Sequence, residues 1–504
     1  MNIERQQETP LFSALKKYVE DRTISFHVPG HKGGRGIPEF RSFVGDNILA
    51  IDVTAGLLDL DNICNPRGVI KEAEELAADA FGADYAHFLV NGTTSGIQAM
   101  ILSVADPGDE IIIPRNAHRS VAGGLILSGA RPVYIQPVID DYMGIAMGIT
   151  PESVRKALVE HPNAKAVFVI NPTYYGVASN LKEIVEIAHS FGKPVLVDEA
   201  HGAHFGFHPE LPLSAMEAGA DMSAASVHKL AGSMTQSSIL LVKSKFIDDR
   251  RVKAAMNLTQ TTSPSYPLMA SLDVARKQIA LHGREMLSKV IKLSEDARNR
   301  LNKVEGLYVM GRDREGTEGC FRYDPTKLAV NVRELGLSGF EVEKILKYQY
   351  HIQVELSDLY NVLAVSAIGD TKESMEAFVR AMTEIAEKYA RKNVIKITAS
   401  LPESGEQVVS PRFAFYARKK AVRLEEAEGE VSTEMLMAYP PGIPIICPGE
   451  RITKEIIDYA KALQAEGCHL QGTEDPEGLV IKVIADKEAL EMQYLRFQQA
   501  ERVG

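Results

Sequence analysis

A lysine near the middle of the chain has the surroundings expected of a reactive amine. Lys229 ends the stretch Ser226-Val227-His228-Lys229, which follows small apolar residues typical of a buried strand. Lysine is rarely buried, and burial beside another cation lowers its pKa and makes the amine nucleophilic. Such an amine can form an imine with a carbonyl compound. A surface lysine at a strand end explains this stretch equally well when it is taken alone.

Two further stretches contain groups that could bind a charged ligand. Asp198 closes the apolar stretch 194–198, and ligands of open α/β sheets bind at the carboxyl ends of strands. Its carboxylate could pair with a protonated ring nitrogen, although a loop or capping aspartate is the alternative. The turn 91–96 contains Gly92, Thr93 and Thr94 between a strand and a helix. Backbone N–H groups there favour an anion such as phosphate, and a plain helix cap is the alternative.

The order of these groups along the chain is more informative than each of them alone. A lysine, a carboxylate and an anion-binding turn are what pyridoxal 5′-phosphate (PLP) requires of a protein. Here the Gly/Thr turn comes first, then Asp198, then Ser-x-His-Lys. This order predicts a PLP enzyme of fold type I. His201, close behind Asp198, could hydrogen-bond the cofactor or substrate. The spacing of the histidines at 201, 204 and 208 can mimic a metal site, but zinc ligands usually lie on a helix face or in Cys/His pairs, whereas these follow a strand and have glycine among them, so we expect no metal.

Alternating helices and strands must position these groups. The hydrophobic pattern predicts helices at 69–81, 94–104, 119–128, 151–160 and 180–191, and strands at 86–90, 110–113, 132–135, 166–170 and 194–198. Such alternation is typical of a doubly wound α/β sheet rich in parallel strands. An amphipathic helix is predicted at 9–20, a loop at 26–45 and a long helix at 266–303.

The length of the chain, 504 residues, predicts more than one domain. We expect an N-terminal arm at 1–25 and a PLP-binding large domain at 26–275. A smaller α+β domain would follow at 276–395, and an α+β C-terminal domain at 396–504, beginning with a linker at 396–412.

The composition limits the classes of molecule that the protein is expected to bind. The net charge of −11 argues against nucleic acid and is compatible with a cationic substrate. The four cysteines form no CxxC pair, which favours a reducing compartment. No apolar run approaches the ~18 residues of a membrane span, and the first residues contain no secretory apolar segment. We therefore expect a cytoplasmic protein without a membrane partner.

At the level of motifs, the sequence resembles the bacterial Orn/Lys/Arg decarboxylases, a PLP-dependent fold-type I family, over nearly its whole length. The motifs that carry the resemblance are FHVPGHKGG at 26–34, PRNAHRS at 114–120, NPTYYG at 171–176, VDEAHGAH at 197–204, SVHKLAGSMTQSS at 226–238, TTSPSYPLMASLD at 261–273 and YPPGIPIICPGE at 439–450. Simple transaminases lack the last of these. Because the chain begins almost at the PLP module, it is most similar to the compact biosynthetic arginine decarboxylases without a wing domain.

The resemblance implies a role for each matching residue. Lys229 would be the Schiff-base lysine, with His228 beside it and His201 near the reacting centre. Asp198 would bind the pyridine nitrogen, and His118 would stack on the ring. The phosphate would be held by four residues of the same chain: Gly92, Thr93, Thr94 and Ser226. Thr261 or Thr262 would reach a phosphate across a dimer interface, so the site would need two chains. His31 would lie at the site entrance.

The reaction implied is decarboxylation of a basic amino acid, with Lys229 or His228 returning a proton to Cα. Arginine, converted to agmatine for polyamine synthesis, is the first choice, followed by lysine and then ornithine. Candidate acids for the distal cation are Glu355, Asp358 and Glu434, each of which could instead be an ordinary surface acid. A fold-type I aminotransferase or lyase is the remote alternative, and a non-catalytic PLP-fold protein is another. Where the family commonly carries an acidic DDLH-type motif, this chain has Leu58-Asp59-Leu60-Asp61-Asn62, which leaves the roles of Asp59 and Asp61 open.

Overall fold

The structure is a computed structural model, and it describes residues 1–389, 405–438, 443–465 and 467–503. The predicted linker at 396–412 and the start of the YPPGIPIICPGE motif fall partly outside the described residues. The helices are α1 Pro10–Glu20, α2 Pro38–Val44, α3 Asp46–Ala50, α4 Val69–Phe81, α5 Gly92–Val104, α6 Arg119–Ser128, α7 Pro151–Glu160, α8 Leu181–Ser190, α9 Ala215–Ala218, α10 Val227–Leu230, α11 Asp249–Thr259, α12 Tyr266–Leu301, α13 Gly339–Tyr350, α14 Lys372–Tyr389, α15 Pro411–Tyr416, α16 Lys454–Ala465 and α17 Lys487–Val503.

The strands are mostly short. They are β1 Tyr85–Leu89, β2 Glu110–Pro114, β3 Arg131–Ile135, β4 Ile139–Asp140, β5 Ile145–Ala146, β6 Ala166–Ile170, β7 Val177–Ala178, β8 Val195–Asp198, β9 Met222–Ala225, β10 Ser238–Val242, β11 Tyr308–Val309, β12 Arg322–Tyr323, β13 Lys327–Asn331, β14 Leu356–Ser357, β15 Asn361–Val365, β16 Lys419–Arg423, β17 Leu436–Ala438, β18 Ile443–Ile446, β19 Leu470–Gln471 and β20 Val480–Ile484.

The chain divides into two compact units. Unit 1 comprises 1–103, 196–289 and 367–369, and unit 2 comprises 104–195, 290–366 and 370–504. In unit 1 the strands lie in the order β1-β10-β9-β8. β8 and β9 are parallel, with Asp198 opposite Ala224, and β10 runs antiparallel to both β9 and β1. These strands are almost wholly buried and rich in Val, Leu, Ile and Ala, as expected of strands covered on both faces.

Within unit 1, a buried ion pair on α12 holds the N-terminal segment. Arg276 on α12 is fully buried, donates to the carbonyl oxygens of Gln6 (3.0 Å) and Glu8 (2.6 Å), and pairs with Asp273. The other carboxylate oxygen of Asp273 accepts the N–H groups of Leu11 (3.1 Å) and Phe12 (3.2 Å) at the start of α1. Two of the free N–H groups at this helix end are thereby satisfied.

Unit 2 combines parallel and antiparallel sheets. β6-β2-β3 are parallel, whereas β11-β13-β15-β14 form an antiparallel sheet. α13 and α14 contribute Val342, Leu346, Phe378 and Met382 to the core of that antiparallel sheet. Towards the C-terminus, β16 pairs with β20, and β18-β17-β19 form a small sheet whose core includes α16. The predicted mixture of a parallel-rich sheet and two α+β regions is present, whereas the predicted four-part division stays a prediction.

Short elements differ most from the sequence prediction. The predicted loop at 26–45 contains α2 and leads into α3, helices too short to show a helical period. α5 begins at Gly92 instead of 94, so Thr93 and Thr94 belong to its first turn. Lys229 does not close a strand: β9 ends at Ala225, and Lys229 lies on the short helix α10.

Candidate active site

Three strands of unit 1 end at one edge of the sheet. β9 is parallel to β8, and the antiparallel β10 between β9 and β1 makes β1 parallel to β9 as well. The carboxyl ends of β1, β8 and β9 therefore meet at one edge, which is where ligands of such sheets bind. The segments that leave this edge are 90–94, 198–201 and 226–229. Asp198 closes one of these strands, and Lys229 and the Gly92–Thr94 turn follow the other two.

A cluster of hydroxyl groups lies at the start of α5. Thr93 Oγ1 is 2.5 Å from Ser226 Oγ and 2.8 Å from Ser238 Oγ. Gly92 has φ +73°, a left-handed conformation that L side chains rarely adopt. Gly96 lets α5 approach the sheet, since a Cβ there would lie 2.6 Å from Leu89 Cδ1. Free N–H groups of a helix start beside hydroxyl groups are a ready anion site.

Thr261 lies beside this turn in the same chain. Its backbone N–H donates to Asn91 Oδ1 at 3.2 Å. Thr261 and Thr262 are exposed, as is Thr94 on α5. The structure therefore places Thr261 next to the predicted phosphate turn of its own chain. Its predicted reach into a second chain stays a prediction.

Lys229 is in contact with His201. The two atoms Lys229 Nζ and His201 Nε2 are 2.8 Å apart, and His201 is only 4% exposed. A protonated lysine can only donate, so His201 Nε2 accepts from it. His228 Nδ1 lies 2.8 Å from the carbonyl oxygen of Ser237. Because a carbonyl only accepts, His228 Nδ1 carries a proton, which leaves Nε2 as the acceptor in the neutral ring.

Asp198 and Glu199 are adjacent buried carboxyl groups. Desolvation raises the pKa of Asp198, and the N–H of Ala200 (3.1 Å) and the charge of Lys229 oppose that rise. Glu199 accepts from the N–H of Ala215 at 2.6 Å and from the Ser223 hydroxyl at 2.7 Å. Desolvation nevertheless raises the pKa of Glu199 to about 8. Both oxygens of Glu199 are thus bound within the protein, whereas Asp198 interacts with the N–H of Ala200 and the charge of Lys229.

These features fit PLP. The cofactor requires an amine for its aldehyde, an anion site for its phosphate and a carboxylate for its ring nitrogen. Lys229, the Thr93–Ser226–Ser238 cluster and Asp198 supply one each at the same sheet edge. Burial makes the ionised Asp198 costly on its own, and a pyridinium nitrogen is the kind of partner that would offset that cost.

His118 lies in unit 2, at the N-cap of α6. Its Nδ1 accepts the N–H of Ser120 at 3.3 Å and lies 2.9 Å from the Ser120 hydroxyl. The imidazole is thus held by its own helix, with the proton of the neutral ring on Nε2. Its stacking on a cofactor ring stays a prediction.

The predicted substrate acids have different surroundings. Asp358 accepts hydrogen bonds from the backbone N–H groups of Tyr360 and Asn361, from the side-chain amide of Asn361 and from the Tyr175 hydroxyl. Desolvation raises the pKa of Asp358. Glu434 accepts from the N–H groups of Glu474 (3.0 Å) and Lys482 (2.8 Å). Both carboxylates therefore serve the protein's own loops, whereas Glu355 is exposed.

His31 lies on the partly exposed N-terminal loop of unit 1. Its Nε2 is 3.0 Å from Asp52 Oδ2, and its Nδ1 accepts the N–H of Gly34 at 3.1 Å. Nδ1 is therefore unprotonated, and Nε2 donates to Asp52. This orients the ring, while its place at a site entrance stays a prediction.

Sequence reasoning missed two residues of the site. Ser238 completes the hydroxyl cluster, and Glu199 supports the strand ends below Asp198. Both stand in motifs already singled out, at 226–238 and 197–204. Neither had a recognisable signal, because antiparallel β10 brings Ser238 to the edge and Ser223 on β9 reaches Glu199 only in the folded chain. No group of three His, Cys, Asp or Glu side chains among the described residues is arranged to hold a metal ion.

Comparison with known sequences decides the family. The Orn/Lys/Arg decarboxylase major-domain model matches residues 9–374, and the C-terminal-domain model matches residues 398–495. The chain belongs to the Orn/Lys/Arg decarboxylase family. Membership confirms three predictions: PLP as the cofactor, an enzyme that decarboxylates, and the fold-type I class.

Two relatives named arginine decarboxylase are matched over their whole length. "Arginine decarboxylase" of Bacillus subtilis is 49% identical over 489 residues, which is 96% of this chain and 100% of the relative. "Arginine decarboxylase" of Halalkalibacterium halodurans is 48% identical, covering 97% of this chain and 100% of the relative. "Constitutive lysine decarboxylase" of Escherichia coli is 25% identical, covering 92% of this chain and 78% of the relative.

Solved structures confirm the fold class. The lysine decarboxylase LdcF of Francisella novicida has a TM-score of 0.81 at 26% identity, covering 94% of this chain and 81% of that chain. Ureidoglycine–glyoxylate aminotransferase of Bacillus subtilis has a TM-score of 0.52 at 16% identity, covering 65% of this chain and 86% of that one, and shows the fold alone. No helix in the described part of the chain is both long and apolar enough to cross a membrane.

Proposed function

We propose that this protein decarboxylates L-arginine to agmatine and CO₂, a step of polyamine synthesis, as a cytoplasmic homo-oligomer. The observation that carries the chemistry is the convergence of Lys229, Asp198 and the Thr93–Ser226 pair at one sheet edge. Arginine is favoured because the relatives named arginine decarboxylase are 47–49% identical, whereas those named lysine decarboxylase are 25–26% identical. Lysine is the second candidate substrate and ornithine the third.

The chain's own residues would hold the cofactor and handle protons. When bound, PLP supplies an electron sink for the bond broken at the substrate Cα. Lys229 Nζ would hold the cofactor's aldehyde carbon, and the α5 N–H groups with Thr93 and Ser226 would bind its phosphate. Asp198 would keep the proton on the ring nitrogen, which stabilises negative charge developing at Cα. Thr94, Thr261 and Thr262 are further phosphate candidates.

Proton return to Cα is assigned to the Lys229–His201 pair. Lys229 Nζ and His201 Nε2 are 2.8 Å apart, so a proton can pass between them and remain on the pair until it is given to Cα. His228 is the alternative donor, although its Nδ1 proton is engaged by the Ser237 carbonyl oxygen.

A distal guanidinium favours a carboxylate that can accept two parallel hydrogen bonds. Glu355 is the favoured candidate, because the oxygens of Asp358 and Glu434 are already bound within the protein. His31, oriented by Asp52, is proposed to line the entrance.

Exposed apolar side chains support the homo-oligomer. Large apolar side chains of the N-terminal part of unit 1 are strongly exposed, among them Phe26, Phe43 and Leu58. Exposed apolar residues concentrated in one segment are typical of protein contact surfaces. We propose that a second copy of the chain covers this segment and completes the site.

The test is to incubate the purified protein with PLP and with arginine, lysine or ornithine separately, and to identify the amine by mass spectrometry. We expect agmatine from arginine and no comparable amine from the others. Cadaverine or putrescine as the main product would overturn the substrate, and keto acid without CO₂ would indicate an aminotransferase. Lys229→Ala is the control: it must form no amine, and borohydride must fix PLP to residue 229 only in the unmodified protein.

A further inference from the structure

A buried ion pair in unit 2 joins the loop after β2 to the C-terminal segment. Arg115 Nη2 lies 2.9 Å from Glu450 Oε2, and the two residues are 8% and 0% exposed. Arg115 Nη1 also donates to the carbonyl oxygen of Pro444 (2.9 Å), and Nη2 to that of Ile445 (3.1 Å). One guanidinium thus holds both strand β18 and the carboxylate that follows it.

Glu450 is fixed from a second side. Its Oε2 also accepts the backbone N–H of Cys447 at 2.7 Å. The ring of Tyr134 on β3 lies 5.2 Å from the guanidinium carbon, within the range of a cation–π contact. Desolvation raises the pKa of Glu450, and the charge of Arg115 opposes that rise. A buried carboxylate and a buried guanidinium each depend on the other for their charge.

The Arg115–Glu450 ion pair links two of the sequence motifs that carry the family resemblance. Arg115 stands in PRNAHRS at 114–120, and Glu450 ends YPPGIPIICPGE at 439–450. Between Arg115 and His118 lie only Asn116 and Ala117, both buried. The N–H of Arg115 donates to the carbonyl oxygen of Ile135 (2.8 Å), and that of Ala117 to Pro114 (3.1 Å). Only two residues separate Arg115 from His118, so a shift of the Arg115 backbone is expected to move the start of α6, which carries the His118 ring.

We infer that Glu450 is a positioning residue of the active site: by holding Arg115, it fixes segment 115–118 and hence the His118 ring. The inference rests on the proposed function and on the predicted stacking of His118 on the cofactor ring. It gives the C-terminal domain an indirect part in the chemistry, because the strand and carboxylate that hold the loop come from that domain.

Glu450→Gln is the informative variant. The glutamine oxygen can accept from both Arg115 and Cys447, so the fold is kept while the buried negative charge is removed. Arg115→Lys is the second variant, because lysine keeps the charge but has no fork to reach Glu450 and the β18 carbonyl oxygens together. Glu430→Gln is the matched control: Glu430 pairs with Lys420 at 2.7 Å in the same C-terminal region and is not among the Arg115 partners named above.

Three readouts on the purified holoenzyme separate positioning from simple stability. They are the cofactor dissociation constant, the visible circular dichroism of the bound cofactor and the hydrogen exchange of peptide 114–121. For Glu450→Gln and Arg115→Lys we expect faster exchange in that peptide and altered dichroism. We also expect a cofactor dissociation constant raised by about 10-fold, the lower end of the loss seen when residues that hold metal ligands in place are replaced. The double variant His118→Ala/Glu450→Gln should bind cofactor no more weakly than His118→Ala, because both act through one ring.

Additive losses in the double variant would overturn the inference, as would a lower melting temperature with unchanged dichroism and cofactor affinity. If His118→Ala leaves both cofactor readouts unchanged while the protein still forms agmatine, the stacking role fails and the inference with it. The proposed reaction then still stands. If no amine is formed by the unmodified protein, the proposed function fails, whereas the exchange of peptide 114–121 still reports on the ion pair.

Discussion

At the scale of single residues, the carboxylate of Asp198 owes its character to burial, whereas Lys229 is only half-buried. Asp198 sits at the end of a buried strand, where desolvation raises its pKa and only Ala200 and Lys229 oppose that rise. The bound ring nitrogen would supply the remaining partner. Lys229 has His201 at 2.8 Å, so the amine has a proton acceptor within the chain.

Replacing Asp198 tests its role as the partner of the ring nitrogen. We expect Asp198→Asn to bind PLP but to lower kcat by about 10²–10³-fold or more, the scale of losing an electrostatic stabiliser of the transition state. The measurement is CO₂ release at saturating PLP, with bound cofactor checked by absorbance. Glu72→Gln, an exposed acid on α4, serves as the control and should keep wild-type turnover. A kcat close to wild type in Asp198→Asn would refute the assigned role.

Glu199 should make stability depend on pH. Its pKa is raised from 4.5 to about 8 by desolvation, so the folded protein keeps a proton that the unfolded chain releases. Stability from this group is therefore fully present below pH 4.5 and is lost as pH rises towards about 8, by up to roughly 1.4 kcal/mol per pH unit. Glu199→Gln should lack this component. The melting temperatures of both proteins are measured at roughly unit steps of pH, from about 5 to about 8. As the pH rises, the melting temperature of the wild type should fall progressively below that of the variant. Parallel curves would contradict the assignment.

At the scale of elements, Asp61 serves helix α4 and the turn before it. Its carboxylate accepts the backbone N–H groups of Arg67, Gly68, Ile70 and Lys71, at 2.7–3.3 Å. Desolvation acts to raise the pKa of Asp61, but the backbone hydrogen bonds outweigh it and the pKa is lowered. Its own conformation is left-handed, with φ +64°, and Tyr266 Oη donates to its carbonyl oxygen at 2.8 Å. Asp61, whose role the sequence motif left open, thus caps the start of helix α4.

Removing this cap should destabilise the protein without changing its chemistry. We expect Asp61→Ala to lower the free energy of unfolding by about 1–2 kcal/mol, the usual contribution of a helix cap. Urea unfolding followed by circular dichroism measures it, and KM for the substrate should stay unchanged. Asp59→Ala is the matched control, because Asp59 is exposed two residues away and should cost under about 0.5 kcal/mol. Equal losses in the two variants would contradict the capping role.

The regular elements between 69 and 198 were largely predictable. Helices 69–81, 119–128 and 151–160 and strand 166–170 have their predicted bounds, because their hydrophobic period and their Gly, Ser, Thr and Pro boundaries agree. α2 and α3 were not predicted, since helices this short carry no period. Within the site, Lys229, Asp198 and Thr93 follow from motif order, whereas Ser238 and Glu199 depend on strand pairing that no local pattern encodes.

At the scale of the whole molecule, the open question is whether one chain or two complete the phosphate site. The resemblance places Thr261 or Thr262 across a dimer interface. In the structure, the N–H of Thr261 donates to Asn91 of the same chain, beside the Gly92 turn. Both threonine side chains are exposed and lie in the unit that carries the exposed apolar residues Phe26 and Phe43. A second chain that contacts Thr261 and Thr262 would therefore reach the turn at Gly92.

Mixed oligomers distinguish the two arrangements. One subunit would carry Lys229→Ala and the other Thr261→Val with Thr262→Val, co-expressed with different tags and assayed at limiting PLP. If the threonines act across the interface, each mixed dimer has one complete site, so random pairing restores about a quarter of wild-type activity. We expect this restoration, because both threonine side chains are exposed in the single chain. Lys229→Ala mixed with wild type gives the dilution baseline. Activity no greater than the sum of the two parent proteins would instead place Thr261 and Thr262 in the site of their own chain, where the hydrogen bond to Asn91 already holds the segment.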